Sequence, residues 1–319
     1  MSLYRCDNRT SAGQLGASVA VYATHWIAAL SLCWFDDHLA LLFALPIGLL
    51  KVRLFNIQHD CAHGSYFSRP KANAVTGSLL GLATFTPFHY WRRHHLLHHA
   101  TNGDLDRRGH GDITMWTADE FVHAGFLKQV FYRAYRNPAV FLIVGPFFYF
   151  FVKMRIPHIA PKGSRERNGI VALNVALLFV WLGIALLSPH PTLVAALLLT
   201  SLFIAGSVGI WLFFVQHQFE DAQWRRSTEW SYKELALQGS SHLLLPDFFE
   251  WLFVRINLHH FHHYDPLIPN YLLRRVMEEE RMPSAHPVAL REGLRVFRLK
   301  VWDEKERKLM PFPRRAGAA

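Results

Sequence analysis

Four short stretches of this chain gather histidine at spacings suited to holding metal: His59-Asp-Cys-Ala-His63, His94-His95-Leu-Leu-His98-His99, Gln216-His217-Gln218 and His259-His260-Phe-His262-His263. Together they hold 11 of the chain's 20 histidines. Neutral imidazole is the commonest protein ligand for transition metals and suits iron, copper, zinc and nickel. On a helix, positions i, i+3 and i+4 share one face, so each HxxHH run is expected to aim three rings at one point. Eight or nine converging rings exceed what one ion accepts, and the pattern therefore calls for two. A tag or low-complexity tract is excluded, because the clusters are separated and each has its own spacer residues. His25, His38, His110, His123, His158, His190, His242 and His286 read as ordinary histidines, and His89, so near the second cluster, stays open between the two readings.

The elements that must position these rings read as membrane helices. Overall composition is equivocal, with 51% hydrophobic residues and a mean hydropathy of +0.10. The local runs decide. Ala17–Phe35, Ile170–Leu187 and Thr192–Val215 contain no Lys, Arg, Asp or Glu. The longest spans about 36 Å as a helix, enough to cross a hydrocarbon core. Leu39–Ile57 is a weaker fourth run, interrupted by Pro46, Lys51 and Arg53, whose last turns are expected to leave the bilayer before His59. The first run reads as a retained helix rather than a signal peptide.

Gly77–Phe88 and Ala139–Val152 are too short to cross and each contains a proline, so both are expected to be in-plane or re-entrant. Lys153, Arg155, Lys162, Arg165 and Arg167 follow the second, and the positive-inside rule assigns them to the cytoplasm. The links Asp36–His38 and Ser188–Pro191 lack Lys and Arg and become the outer turns of two hairpins. The expected fold is an all-α integral membrane protein. It has four transmembrane helices in two hairpins, at about 17–35, 39–57, 170–187 and 192–215, plus in-plane helices. Residues 58–168 and 216–319 form a cytosolic, histidine-rich di-metal cap within one domain, 1–319. Both termini and all four histidine clusters then lie on the cytoplasmic side of what is expected to be a bacterial inner membrane.

The net charge of +10 fits positive-inside bias and attraction to anionic membrane lipids, and secondarily docking of an acidic electron carrier. It is dispersed, and no nucleic-acid reader module is visible, so nucleic acid is not expected as a partner. Cys6, Cys33 and Cys61 are widely spaced without a CxxC pair, so no disulfide framework is expected, and Cys61 reads as a spacer. A metal transporter is disfavoured, because the charge-free runs offer only His25 and Asn174 along a route through the bilayer.

The segments HDCAHGSYF, WRRHHLLHHATNGDLDRRGHGDI, FVQHQFEDAQW and HHFHHYDPLIPNYLL resemble the histidine boxes of the integral-membrane fatty acid desaturases, most of all the bacterial and cyanobacterial acyl-lipid omega-6 (delta-12) branch. The resemblance runs from about Asn56 to Leu272. It implies nine metal ligands, His59, His63, His95, His98, His99, His217, His259, His262 and His263, with His94 and His260 as extras and no catalytic residue beyond the ligands. It also implies two iron ions per chain, O2 as co-substrate, and an acyl-lipid or other fatty acyl substrate. Hydroxylases and ketolases share the pattern, so oxidation with retention of oxygen is the alternative outcome to a double bond. Animal acyl-CoA members place a water-orienting Asn one turn before the isolated histidine, where this chain has Phe213, and Asn56 is not assigned that role.

The residues themselves favour iron over zinc, since structural zinc is four-coordinate and usually contains cysteine, and catalytic zinc keeps three protein ligands. Asp60, Asp106, Glu220, Asp221 and Asp265 are candidates to accept the remote N–H of ligand rings. Trp211, Phe213, Phe214, Phe85 and Phe88 are candidates to line an acyl tunnel, although packing surface is the plainer reading for most. No dinucleotide fingerprint, haem motif or iron-sulfur cysteine set is present. Electrons are expected from an external ferredoxin-like donor.

Overall fold

Asp7 starts the first long helix by accepting from the backbone N–H groups of Arg9 and Thr10, donors that a helix N-terminus leaves open. In the computed structural model, which describes residues 4–109, 111–279 and 286–313, this helix, α1, covers Asn8–Trp34. His110 lies outside the described residues. A 3-10 turn, His38–Phe43, leads into α2, Ala44–His63, which stops where Gly64 takes a left-handed φ of 76° that glycine adopts without strain. Then come α3 (Pro70–Thr84), α4 (Phe88–Thr101), α5 (Ala118–His123) and α6 (Phe126–Tyr135). Val140–Arg155 is an irregular helical stretch around α7 (Gly145–Phe147). Ser164 caps α8 (Arg165–Leu187), and Pro191 opens α9 (Pro191–His217).

Shorter elements complete the chain: α10 (Tyr232–Gln238), β1 (His242–Leu244), α11 (Asp247–Leu252), α12 (His259–Tyr264), α13 (Leu273–Glu279), β2 (Pro287–Ala289), α14 (Leu290–Gly293), β3 (Val301–Asp303) and β4 (Lys308–Met310). β1 pairs with β2 in parallel and β3 with β4 antiparallel. The structure is thus mostly helical rather than all-α. Strands of three residues are too short to leave an alternating pattern in sequence.

Four helices are long and apolar enough to cross a membrane: Asn8–Trp34, His38–His63, Arg165–Leu187 and Pro191–His217. The turns that follow α1 and α8 meet, with His190 Nδ1 3.3 Å from Asp36 Oδ1. The histidine-bearing ends of α2 and α9 therefore share the opposite end. Packing between α2 and α9 is close at Gly48, where an added Cβ would sit 2.8 Å from Ile204 Cβ. α8 turns Phe179 and Leu186 outward, 70% and 77% exposed, as a lipid-facing helix does.

The two charges that interrupted the second run face inward. Lys51 donates to Tyr22 Oη and the Ala83 carbonyl, both at 3.1 Å, and Arg53 Nε donates to Ser18 Oγ at 2.8 Å. Gly77–Phe88 packs against α2. Gln58 Nε2 reaches Gly77 O at 2.8 Å near the histidine end, Lys51 reaches Ala83 O further down, and α4 then climbs back. Ala139–Val152 lies along α9, with Ser207 Oγ donating to Leu142 O at 2.7 Å, about 15 Å along the helix from His217. Read together with α6 through a bend of 66°, it would make a fifth apolar pass.

Candidate metal centre

Helix continuity carries two of the clusters into place. α2 continues unbroken through His59 and His63, and α9 ends on His217. α4 presents His95, His98 and His99, and α12 presents His259, His262 and His263. All nine rings are buried.

They fall into two groups, within each of which the ligand atoms lie within 4.8 Å of one another: His59, His63, His95, His99 and His262, and His98, His217, His259 and His263. The expectation that each HxxHH run aims at one point is corrected here. α4 sends His95 and His99 to the first group and His98 to the second; α12 sends His262 to the first and His259 and His263 to the second. Rings at i+3 and i+4 straddle the stripe, and a helix crossing between two sites serves both. The groups adjoin, with His99 and His263 stacked at 3.9 Å.

The donor geometry fits bound cations. Nε2 atoms face one another at 2.9 Å (His63 and His95), 3.2 Å (His99 and His262), 3.1 Å (His98 and His217) and 3.0 Å (His217 and His259). Nitrogens held at about 2.1 Å by one ion lie about 3.0 Å apart at a right angle and about 3.4 Å apart at the tetrahedral angle. The observed spacings, from 2.9 to 3.2 Å, are short enough for these nitrogens to share an ion.

His217 Nδ1 donates to Gly239 O at 3.1 Å, which leaves a lone pair on its Nε2 facing two other rings. His59 Nε2 and His263 Nε2 are buried without a hydrogen-bond partner, as nitrogens reserved for an ion would be. Burial, reinforced by neighbouring rings, holds His95, His98, His99, His259, His262 and His263 well below the usual imidazole value, so they stay neutral and able to donate.

Of the five carboxylates singled out in sequence, only Asp60 faces these rings, 3.5 Å from His59 Nδ1. Asp106 binds Arg226 and Ser227, Glu220 binds Arg298, Asp221 faces His286, and Asp265 caps Leu267. Phe213 fills the position of the water-orienting Asn, its ring 5.2 Å from His98 and 5.0 Å from His217. Asn56 donates instead to Phe253 O at 3.0 Å. Among the aromatic tunnel candidates only Phe213 packs on the histidines. Phe214 packs on Phe141 and Phe297, Trp211 donates to Gly293 O, Phe85 packs on Trp181, and Phe88 presses on Gly77.

Cys61 is buried and belongs to neither group, and all three cysteines are free. Sequence reasoning missed Trp91, stacked on His95 at 4.5 Å; its position four residues earlier on the same helical face was the available signal. It also missed Asn270, whose backbone and side-chain N–H groups both reach Asp60 Oδ2 at 2.8 Å.

His94 and His260 stand outside both groups: His94 packs on Tyr90 and His260 on His242. His94→Gln and His260→Gln are expected to keep full metal content with at most partial loss of rate, whereas His95→Gln and His259→Gln lose metal and activity together. Metal analysis of the four purified variants checks this, and the reverse ranking contradicts it.

A fatty acid desaturase family model matches residues 37–292. The chain is 35% identical over 313 residues to a fatty acid desaturase of Bacillus subtilis (strain 168), covering 93% of this chain and 84% of that protein. It is 28% identical to an sn-1 oleoyl-lipid 12-desaturase of Synechocystis sp., over 73% of this chain and 67% of that protein. It is 27% identical to the chloroplastic, temperature-sensitive sn-2 acyl-lipid omega-3 desaturase (ferredoxin) of Arabidopsis thaliana, over 82% of this chain and 58% of that one. The chain belongs to the fatty acid desaturase family, membrane-associated oxidoreductases that place double bonds in acyl chains.

Proposed function

We propose that this chain is an acyl-lipid desaturase whose nine converging histidines hold two iron ions, five donors on one and four on the other. The observation that carries the reading is the partition of nine buried rings into two adjoining groups without a carboxylate in either, among the described residues. A donor set made of histidines alone, without cysteine, supports iron over zinc. Bound there, the two ions supply the activation of O2 needed to remove hydrogen from an unactivated methylene.

The rest of the work belongs to the protein. The Gly239 carbonyl fixes the tautomer of His217, and Asp60 stands beside the remote nitrogen of His59. The Phe213 ring covers the second group and helps keep water from it. The surrounding helices bend and hold the chain so that neighbouring carbons lose one hydrogen each.

The whole chain works as one unit with both termini, the cap and the site on the cytoplasmic side of a bacterial inner membrane. The basic stretch from Lys153 to Arg167, and the Lys- and Arg-free turns at the other end, support that orientation. Electrons come from an external ferredoxin-like carrier. Fatty-acid profiling by mass spectrometry after expression in a host lacking polyunsaturated chains tests the reading. A new double bond in membrane lipid is expected, and an added oxygen would instead mark a hydroxylase.

A further inference from the structure

A cavity of about 270 Å³ lies beside the metal centre, between the histidine-end halves of α1 and α2 and the segment from α11 to Arg255. Gln14, Arg53, Glu250, Trp251, Arg255 and Asn270 provide its polar wall. The wall is built by a chain of fixed amides. Asp60 can only accept, so Asn270 turns its NH2 toward Asp60 and its oxygen toward Gln14. Gln14 must then give its own NH2 to Asn270, at 2.8 Å, and its Oε1 is left buried with no partner. Leaving a buried acceptor unpaired is costly unless something donates to it.

Opposite stand two guanidinium groups. Arg53 is anchored by Ser18 Oγ and the Trp251 carbonyl and lies 4.4 Å over the Trp251 ring; Arg255 is anchored by the Tyr271 carbonyl at 3.1 Å. Val254 and Arg255 both adopt positive φ, 47° and 60°, a strained backbone that presents this wall. Glu250 Oε1 accepts from Asn257, while Oε2, 3.5 Å from Arg274, has no hydrogen bond and stands in the same wall as a second open acceptor. An occupant that suits this wall carries an anionic acceptor for the arginines and donors for Gln14 and Glu250.

Its origin is indicated by the surroundings. α11 exposes Phe248 and Trp251, 61% and 53%, the aromatic type that seats at headgroup level. Ala17, Val21 and Leu50 make the remaining wall apolar. Resting on the acyl-lipid reading above, we propose that this cavity receives the headgroup of the glycerophospholipid substrate, its phosphodiester on Arg53 and Arg255 and a headgroup hydroxyl or ammonium on Gln14 Oε1. Asn270 joins this wall to Asp60 and so to His59 through hydrogen bonds, which ties the headgroup wall to the metal-bearing end of α2.

The test is binding without turnover. Metal-loaded protein in detergent is titrated calorimetrically with dihexanoyl phosphatidylglycerol, with inorganic phosphate and with hexanoate. The short lipid is expected to bind at one site, with phosphate and hexanoate each far weaker. Gln14→Leu and Arg255→Gln should weaken the lipid by about tenfold or more each while metal content holds. Phosphate binding as tightly as the lipid, or both variants binding like wild type, overturns the proposal. Should the variants fail to fold, hydrogen exchange on the wild-type protein decides: lipid must protect the segments around Gln14 and residues 250–255, and protection elsewhere overturns the site. Because turnover is not measured, a protein that binds the lipid here yet makes no double bond would sink the desaturase reading alone.

Discussion

His217→Ala abolishes turnover and lowers metal affinity by more than about 100-fold, since changing a residue that merely supports a ligand already costs 10- to 100-fold. The residue stands alone between two glutamines, yet its Nε2 faces His98 and His259 at 3.1 and 3.0 Å and its other nitrogen is tied to Gly239. Removing it takes one of four donors from the second group and leaves the Gly239 carbonyl without its partner. The long apolar helix that it terminates is untouched, so the protein remains inserted in the membrane. His286→Ala, whose ring faces Asp221 and Phe219 and belongs to neither ligand group, serves as control and is expected to be nearly silent. A His217→Ala variant that keeps substantial activity would remove this ring from the ligand set.

Metal-free protein should become steeply acid-sensitive below about pH 6.5. Six imidazoles outside the membrane helices, on α4 and α12, are held neutral well below their usual value by burial. Unfolded, each takes up a proton near pH 6.5. The unfolded state then binds more protons than the folded one, so stability falls as pH falls through that value and is flat above it. Each such ring contributes a slope of about 1.4 kcal/mol per pH unit. Bound metal opposes this by claiming the lone pairs, so loaded protein holds to lower pH. Thermal midpoints in detergent across pH 5 to 8, with and without metal, measure the difference; superimposable curves would refute the account.

The pattern of this site was legible because ligand spacing on helices is a local property. His95, His98 and His99 had to share a face wherever α4 lay. Their division between two groups was not legible, because it depends on how α4 and α12 cross. The same limit applies to charge. Lys51 and Arg53 looked like interruptions of a membrane run, and only packing against Tyr22, Ala83 and Ser18 shows them turned inward. Of five nearby acidic residues, sequence could not say that Asp60 alone would meet one of the nine clustered rings, since Asn270, its clamp, lies some two hundred residues away. The four apolar runs were plain, whereas the three-residue strands and the descent of α3 along α2 arise from tertiary contacts.

Iron content per chain tests the central claim most directly. Protein purified anaerobically in active form, with metal quantified by mass spectrometry against amino-acid analysis, is expected to carry about two irons per chain, as two groups of nitrogen donors require. One iron per chain, or zinc retained in fully active enzyme, would contradict it.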